Sequence, residues 1–349
     1  MSALAPAEFS PETTYLDTAS HGLPSARAVA AVHTVTTRWA AGLETPRGHD
    51  PLVPELRESF AHLLDGASAD DIAIGPSVAS LIGPVAAALP SGAEVLVVEG
   101  EFASVPLPFL TRGDLAVRTV ALEDLAEQVR PRTALVAVSS VQSADGRTVD
   151  LPALRAATLA NDARLLVDVT QSAGWLPMRF TDADYWVCAS FKWLVGTRSI
   201  AFFAAGSHAA GSIRPLAPGW YSANDRAADM YDPKQLAPTA RRFDATPDWL
   251  GVIAAHAGLA LLRELTVERI HAHDLALADR FRAGLATLGL DHVPSPAPIV
   301  SVTGTPDDAA RLRAAGIVLS AREHRLRFSF HLYNDDTDVD HALDVLGAN

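Results

Sequence analysis

Short apolar runs alternate with helix-length amphipathic segments through the first two thirds of the chain. The runs rich in β-branched and aromatic residues lie at 94–98, 117–122, 134–141, 164–169, 185–190 and 199–204. Helix-length segments such as LPALRAATLAND separate several of them. This alternation predicts an α/β fold with a mainly parallel sheet covered by helices. Sheets of this kind bind ligands at the carboxyl ends of their strands.

The pattern changes at about residue 247, where long helical periodicity begins. It is followed by a strand in PIVSVTG, a helix in DDAARLRAAG, a strand in RLRFSFH and a last helix in TDVDHALDVLG. This predicts a smaller α+β domain at the C-terminus. We therefore expect a short N-terminal segment at 1–20, a large domain at 21–246 and a small domain at 247–349.

The charge balance and the apolar runs narrow the class of protein. The chain has 28 Lys and Arg against 41 Asp and Glu, a net charge of −13, which argues against nucleic acid or an anionic membrane as a partner. The N-terminus lacks the pattern of a signal peptide, and the apolar runs are interrupted before they reach a bilayer-spanning length. We expect a cytoplasmic protein without a transmembrane helix. Its twelve histidines lack metal-ligand spacing, so no metal site is predicted.

One lysine stands in an apolar stretch, DADYWVCASFKWLVG, where Phe191, Trp193 and Leu194 flank Lys192. Apolar surroundings disfavour the ammonium form, so the amine is biased toward the neutral form that bonds an aldehyde. Asp168 lies near the end of the run RLLVDV. Taken singly, such a lysine more often extends to water, and such an aspartate is more often a cap or a surface charge. Together they predict a Schiff base between Lys192 and pyridoxal phosphate, with Asp168 keeping the pyridine nitrogen protonated.

The segment VDVTQSAGWLPMRFTDADYWVCASFKWLVGTRSIAFF, which contains this pair, resembles the cofactor core of class V aminotransferase-fold enzymes. That group includes cysteine desulfurases, kynureninase and isopenicillin N epimerase. The resemblance runs over nearly the whole chain, from YLDTASHGLPS to LRFSFHLYNDDTDVD. It implies the pyridoxal-phosphate fold type I, an amino-acid-like substrate and a homodimer with shared active sites.

Five residues are candidates for further cofactor contacts. Phosphate needs amides and hydroxyls, which the turn GPSVAS offers at Ser77 and Val78 where a helical stretch opens, although a serine there is as often a helix N-cap. The resemblance implies that Ser190 is a second phosphate ligand and that Thr246 reaches the phosphate of the neighbouring subunit. It also implies that Gln171 hydrogen-bonds the phenolic oxygen of the cofactor; the alternative is a polar turn residue.

Four more residues are candidates for the face of the cofactor or for the substrate. Phe102 falls where the family places an aromatic ring or a histidine over the cofactor, and a place in the core is an equal alternative. The family's carboxylate-binding arginine stands in an R-x-S segment followed by Tyr-Asn, which implies Arg327; the alternative is one of three nearby surface arginines. His21 is a candidate because the family's N-terminal segment approaches the substrate. Gln142 is a candidate cofactor or substrate contact.

The cysteine content separates two activities of the family. Cysteine desulfurases need a mobile cysteine upstream of the carboxylate arginine, and GIVLSAREHRLRFS has none. The single cysteine, Cys188, lies in an apolar run and indicates core packing. The segments VQSADG, TQSAGWLP, FKWLVGTRS, LAPGWYS and ARRFDATPDWLG are most similar to hercynylcysteine sulfoxide lyases and to lincosamide-pathway enzymes acting on cysteine conjugates.

This similarity implies a C–S β-lyase acting on a cysteine S-conjugate or its sulfoxide through an external aldimine, with Lys192 as the base at Cα. The residues TRS at 197–199 replace the Pro-Arg-Gly expected in that branch, which leaves the substrate open. An aminotransferase, an epimerase or a decarboxylative deaminase acting on an amino-acid-derived substrate would use the same Lys192, Asp168 and Arg327. A non-catalytic binding homologue is a further alternative, and it would lack the yellow colour of bound cofactor.

Overall fold

Fourteen strands and ten α-helices form the regular structure of residues 1–232, 234–322 and 324–348, which are those that the computed structural model describes. The strands are β1 (Thr14–Tyr15), β2 (Leu64–Asp65), β3 (Ile72–Gly75), β4 (Glu94–Val98), β5 (Ala116–Val120), β6 (Thr133–Ser139), β7 (Arg164–Asp168), β8 (Met178–Arg179), β9 (Tyr185–Ala189), β10 (Ala201–Ala204), β11 (Ile299–Thr303), β12 (Ile317–Val318), β13 (Ser320–Arg322) and β14 (Arg325–Ser329). The helices are α1 (Ala26–Ala40), α2 (Leu52–Ala61), α3 (Val78–Ala88), α4 (Leu107–Leu110), α5 (Leu151–Ala160), α6 (Ser207–Gly211), α7 (Trp249–Leu265), α8 (Val267–Thr287), α9 (Pro306–Ala314) and α10 (Asp336–Gly347).

Seven strands pair into a central sheet in the order β3-β10-β9-β7-β6-β4-β5. The pairs from β5 to β9 are parallel, and β10 is antiparallel to both β9 and β3. All residues of β4 and β9 are buried, as expected of strands covered on both faces of a sheet. Six of the seven strands therefore end at one edge, where β10 begins. The predicted α/β fold with a mainly parallel sheet is confirmed.

A smaller antiparallel sheet, β11-β14-β13, lies in the C-terminal part together with α8, α9 and α10. Its core includes Phe281 and Phe328, whose ring centroids are 4.7 Å apart. The N-terminal segment joins this part of the molecule, because β1 pairs with β12 and Leu16 lies in the same core. The smaller C-terminal α+β unit was expected from the sequence.

The bounds of the three predicted parts stay a prediction. Helix α7 packs against α1 and α2, and its Leu259 and Leu262 lie in the core that covers the large sheet. Helix α8 then crosses from that core into the core of the small sheet, from Ile270 to Leu277.

Capping residues mark the starts of two helices that follow loops at the carboxyl edge of the sheet. The side chain of Ser77 accepts a hydrogen bond from Ser80 N at the start of α3, and Asp248 does the same for Leu250 N at the start of α7. Within the described ranges, no single helix has the length and apolarity of a membrane span; α7 and α8 reach them only jointly, across an 85° bend.

Candidate active site

A cavity of about 230 Å³ lies at the carboxyl edge of the central sheet. Residues at the ends of β3, β4, β6, β7 and β9 and before β10 form its wall: Ser77, Val78, Phe102, Ser104, Ser139, Ser143, Asp168, Thr170, Gln171, Ala189, Phe191, Lys192 and Arg198. Parallel strands that end at one edge bring these distant positions together. Six predicted residues therefore share one wall: Ser77, Val78, Phe102, Asp168, Gln171 and Lys192.

Lys192 is 5% exposed and carries its amine between two aromatic rings. Its Nζ lies 5.3 Å from the ring centroid of Phe102 and 5.8 Å from that of Phe191. Burial lowers the pKa of the Lys192 amine from 10.5 to about 8, against the opposing charge of Asp168. The neutral, nucleophilic amine is thus accessible near neutral pH. The only other lysine of the sequence, Lys234, has a side chain that is 74% exposed.

Asp168 is the last residue of β7 and is 4% exposed. Burial raises the pKa of its carboxyl from 3.8 to about 6; hydrogen bonds from Thr170 oppose this rise and the charge of Glu101 adds to it. One of those bonds joins Thr170 N to Asp168 Oδ1 at 2.8 Å. A buried carboxyl with a pKa near 6 suits a heterocyclic nitrogen with which it shares a proton.

The amide of Gln171 has a fixed orientation. Its Oε1 accepts a hydrogen bond from the indole Nε1 of Trp193 at 2.8 Å. An indole N–H can only donate, so the Gln171 Nε2 must face the other way, toward Ala19 O at 2.9 Å and Ser143 Oγ at 2.8 Å. Both N–H groups of Gln171 are therefore in use, one of them by the wall residue Ser143, so an acceptor in the cavity would take the place of Ser143. Its contact with a phenolic oxygen stays a prediction.

The start of α3 has the chemistry of an anion site. Ser77 Oγ accepts a hydrogen bond from Ser80 N at 3.2 Å, so the Ser77 side chain is the N-cap of the helix, which was the alternative interpretation. The backbone amides of the first turn, that of Val78 among them, have no partner within the helix and favour an anion. Phosphate binding by Ser77 and Val78 stays a prediction.

Phe102 lies on the cavity wall and is 43% exposed, so the structure does not place it in the core. Its loop is held by the carboxylate of Glu101, which accepts hydrogen bonds from Phe102 N at 2.8 Å and from Ser139 Oγ at 2.6 Å. Gln142 Nε2 also donates to Glu101, at 3.2 Å. Gln142 is 2% exposed and is absent from the wall, so it stabilises the Glu101 loop from behind.

Two further predicted cofactor ligands also lie off the wall. Ser190 is fully buried, and its Oγ donates to the Thr197 carbonyl at 2.7 Å, within the loop that follows Lys192. Thr246 is exposed and is not brought to this cavity in the single chain. Its predicted role concerns a neighbouring subunit and stays a prediction.

Arg327 is buried on β14, 4% exposed, whereas Arg325 on the same strand is exposed. The guanidinium donates to Ser143 O, to Ser143 Oγ at 3.2 Å and to Ser20 Oγ at 2.6 Å, and lies 3.6 Å from Asp17 Oδ1. Burial lowers the pKa of Arg327 to about 10, which leaves it charged at neutral pH. It is therefore not a surface arginine, and it stands behind the wall residue Ser143.

The chain at His21 and Gly22 packs on the Lys192 loop. The His21 ring centroid lies 5.4 Å from that of Phe191, and Gly22 N donates to Phe191 O at 2.9 Å. A Cβ on Gly22 would lie 2.0 Å from the Lys192 carbonyl oxygen, so only glycine allows this approach. His21 itself lies beside the wall without forming part of it.

Sequence reasoning missed seven wall residues: Ser104, Ser139, Ser143, Thr170, Ala189, Phe191 and Arg198. Most stand at or just after the end of a strand, a position that could have marked them. Arg198 had a weaker signal, as the central residue of TRS. Its guanidinium lies 4.5 Å from the Phe191 ring centroid, and its side chain is exposed.

The donor set of the cavity fits pyridoxal phosphate. It combines an amine with a lowered pKa, a buried carboxyl, an aromatic ring and the amides at the start of an 11-residue helix. In the three described ranges, no group of three His, Cys, Asp or Glu side chains could hold a metal ion. Cys188 is buried behind the wall, and burial raises the pKa of its thiol well above the ordinary range.

Residues 55–342 match the family model described as "Aminotransferase class-V". The chain belongs to this family. It is 27% identical over 310 residues to "Uncharacterized aminotransferase YcbU" from Bacillus subtilis, a match that covers 84% of this chain and 82% of the relative. It is also 27% identical over 262 residues to a kynureninase from Deinococcus radiodurans, with 71% and 63% covered.

Solved structures share the fold. The cystine C-S lyase C-DES superposes with a TM-score of 0.86 at 22% identity, over 97% of this chain and 98% of that one. A cysteine desulfurase from Thermococcus onnurineus NA1 gives 0.83 at 21%, over 96% and 94%. In another C-DES structure, glycine is covalently linked to the PLP cofactor. The predicted enzyme class and its cofactor, pyridoxal phosphate, are confirmed at the level of the family.

Proposed function

We propose that the protein is a pyridoxal-phosphate-dependent C–S β-lyase that acts on a cysteine S-conjugate or its sulfoxide. The observation that carries this proposal is the Lys192 amine, buried in one cavity with Asp168 and Phe102 and with a pKa lowered to about 8. When bound, pyridoxal phosphate supplies an aldehyde that bonds an amine and a ring that takes up electrons from a broken bond at Cα.

Five residues hold the cofactor in this proposal. Lys192 bonds the aldehyde carbon, and Asp168 keeps the ring nitrogen protonated. Gln171 donates to the phenolic oxygen from the side fixed by Trp193. The amides at the start of α3 bind the phosphate, with Val78 in the first turn. Phe102 covers one face of the ring.

Arg327 binds the α-carboxylate of the substrate in this proposal. Contacts with Ser20, Ser143 and Asp17 hold its guanidinium in place. The conformational entropy of the side chain is therefore lost during folding and not during substrate binding. Substrate entry then requires that the carboxylate take the place of one of the Ser143 contacts, because Ser143 stands between Arg327 and the cavity. Serine is small enough to move by a rotamer change.

The reaction needs one base and no enzyme thiol. Lys192 Nζ, once displaced by the substrate amine, would remove the proton from Cα. The C–S bond would then break, its electron pair would leave with the sulfur, and the proton would complete a thiol, or a sulfenic acid where the substrate is the sulfoxide. Water would convert the remaining three-carbon unit to pyruvate and ammonia. The products would thus be one thiol or sulfenic acid, one pyruvate and one ammonia for each substrate and water consumed.

The lack of a reactive thiol favours this lyase over a persulfide-forming desulfurase. The only cysteine of the sequence, Cys188, is 0% exposed on β9. Its sulfur lies 3.8 Å from Val169 O and 3.4 Å from Ala189 O, within the sheet. A buried thiol of raised pKa is a poor nucleophile. The C–S lyase named among the solved structures agrees with this choice.

The protein is further proposed to act as a homodimer with shared active sites. Thr246, which is exposed and does not line the cavity of its own chain, is available to a neighbouring subunit. Sedimentation equilibrium of wild type and of the Thr246→Ala variant, with cofactor titration of each, tests this. A monomer with full cofactor affinity contradicts it.

Product analysis tests the proposed reaction. The purified protein with pyridoxal phosphate is incubated with S-alkyl cysteine conjugates and their sulfoxides, and pyruvate, ammonia and thiol are measured. Equal amounts of pyruvate and ammonia from either substrate, with an equal amount of thiol from the unoxidised conjugate, support the lyase. A keto acid that retains sulfur would indicate transamination, an inverted amino acid epimerisation, and carbon dioxide decarboxylative deamination. Each of those outcomes, without pyruvate, would refute the proposal.

A further inference from the structure

A buried histidine and a buried aspartate connect the C-terminal part of the molecule to the loop that carries Lys192. His331, two residues after β14, and Asp274 on α8 are both 0% exposed. His331 Nδ1 lies 2.8 Å from Asp274 Oδ2, and His331 Nε2 lies 3.0 Å from the carbonyl oxygen of Trp193, the residue after Lys192.

Both partners of this imidazole ring are acceptors. A neutral imidazole carries a single N–H, so it could serve only one of them. Both contacts are satisfied if the pair holds two protons, either as imidazolium with carboxylate or as imidazole with a protonated carboxyl. Burial raises the pKa of the Asp274 carboxyl, and the charge of His331 opposes that rise. In both forms the pair is neutral overall, and Nε2–H points at Trp193 O.

Trp193 is thereby held at two points. Its carbonyl accepts from His331 Nε2, and its indole donates to Gln171 at 2.8 Å. The His331 ring also packs edge-on against the Trp193 indole, with centroids 4.9 Å apart. The backbone next to Lys192 cannot turn without leaving a buried polar group unpaired.

We propose that His331 is a positioning residue for Lys192: by donating to the Trp193 carbonyl, it fixes the direction from which the amine enters the cavity, and Asp274 keeps that donor in place. The same strand that carries Arg327 leads directly to His331. The strand that carries Arg327 and the loop that carries Lys192 are therefore held in a fixed position relative to one another. This inference rests on Lys192 as the residue that bonds the cofactor.

Two amide substitutions form a matched pair for the test. In His331→Asn, the amide lies near the former Nδ1 position and keeps the contact with Asp274. In His331→Gln, the amide reaches toward the former Nε2 position and can still donate to Trp193 O. His273→Gln is the control, because His273 is also buried and bonds a backbone carbonyl, that of Asn334 at 3.1 Å, and not that of Trp193.

The readout is attachment of pyridoxal phosphate to full-length protein freed of cofactor. The Lys192 amine replaces the aldehyde oxygen and releases water; borohydride added at timed intervals reduces the C=N bond, and peptide mass gives the fraction modified at Lys192. We expect pyridoxal phosphate to attach to His331→Asn roughly 10- to 100-fold more slowly than to wild type. The attachment rate of His331→Gln should lie between these two, and that of His273→Gln should equal the wild-type rate. Melting temperatures are measured alongside.

Equal attachment rates for His331→Gln and His331→Asn would overturn the inference, as would rates that merely follow the melting temperatures of the variants. If the wild-type protein is modified at Lys234 or at no lysine, the proposed function itself fails. The two failures are thus distinguishable.

Discussion

The indole N–H of Trp193 donates to Gln171 Oε1 at 2.8 Å, and this contact decides which end of the Gln171 amide faces the cavity. The polarity of these two residues gives no sign of this contact in the sequence. Together they turn a glutamine, which could present a donor or an acceptor, into a donor. A phenolate oxygen needs such a donor, so the cofactor site depends on a residue that does not line it.

Trp193→Phe removes this indole donor and keeps most of the ring. The Gln171 amide is then held only through its Nε2 contacts with Ala19 O and Ser143 Oγ, and its orientation is less firmly fixed, so we expect roughly 3- to 10-fold weaker binding of pyridoxal phosphate. Absorbance titration of cofactor-free protein measures it. Trp175→Phe is the control, since its indole donates to the backbone oxygen of Gln171 and leaves the side-chain amide alone. Unchanged affinity in Trp193→Phe, or an equal loss in both variants, contradicts this role.

Lys192→Met should stabilise the cofactor-free protein at neutral pH. The folded-state pKa of Lys192 lies below its ordinary value, so the cost of its buried charge is fully present below pH 8 and disappears as the pH rises toward 10.5. We expect a gain of roughly 1–3 kcal/mol at pH 7 and none above about pH 10.5, measured by urea unfolding. The exposed Lys234→Met should change nothing. A less stable Lys192→Met protein at pH 7 would show that the amine is not desolvated.

Gly22→Ala should displace the Lys192 loop. Its Cβ would lie 2.0 Å from Lys192 O, and the N-terminal segment or the loop must move. We expect a loss of about 1–3 kcal/mol in stability together with slower cofactor attachment. Gly211→Ala is the control, because a Cβ there meets nothing within 4 Å. Wild-type stability and attachment in Gly22→Ala would refute the close approach.

Arg327→Lys should weaken substrate binding and leave the cofactor in place. Lysine keeps a charge beside Asp17 but loses the planar fork that matches a carboxylate. We expect KM to rise roughly 10- to 100-fold with little change in cofactor affinity. Arg325→Lys, exposed on the same strand, should behave as wild type. If Arg327→Lys leaves KM unchanged, the carboxylate is bound elsewhere, and Arg198 on the cavity wall is then the residue to replace next.

The strands that carry the site residues could be predicted from the sequence. The side-chain contacts around the site could not. The run at 94–98 matches β4 residue for residue, and the runs at 164–169 and 185–190 match β7 and β9 to within a residue. Apolar strands covered on both faces leave a clear signal. Short strands such as β1 and β12 leave none, since two residues carry no periodicity.

The side-chain contacts could not be predicted because they depend on three-dimensional partners. Ser190 turns toward Thr197 and Gln142 toward Glu101, although both stand beside wall residues in the sequence. His331 gave no signal at all, since its two partners are 57 and 138 positions away. The His331 contacts follow from how the C-terminal part docks, which a local pattern does not encode.

The sharpest test of the account is to locate the lysine that bonds the cofactor. The sequence has two lysines, so borohydride reduction of the yellow protein followed by peptide mass analysis gives an unambiguous answer. The account predicts one reduced pyridoxal phosphate per chain, on the peptide that contains Lys192, and none in Lys192→Ala. Modification at Lys234, or no modification of the wild-type chain, would contradict it.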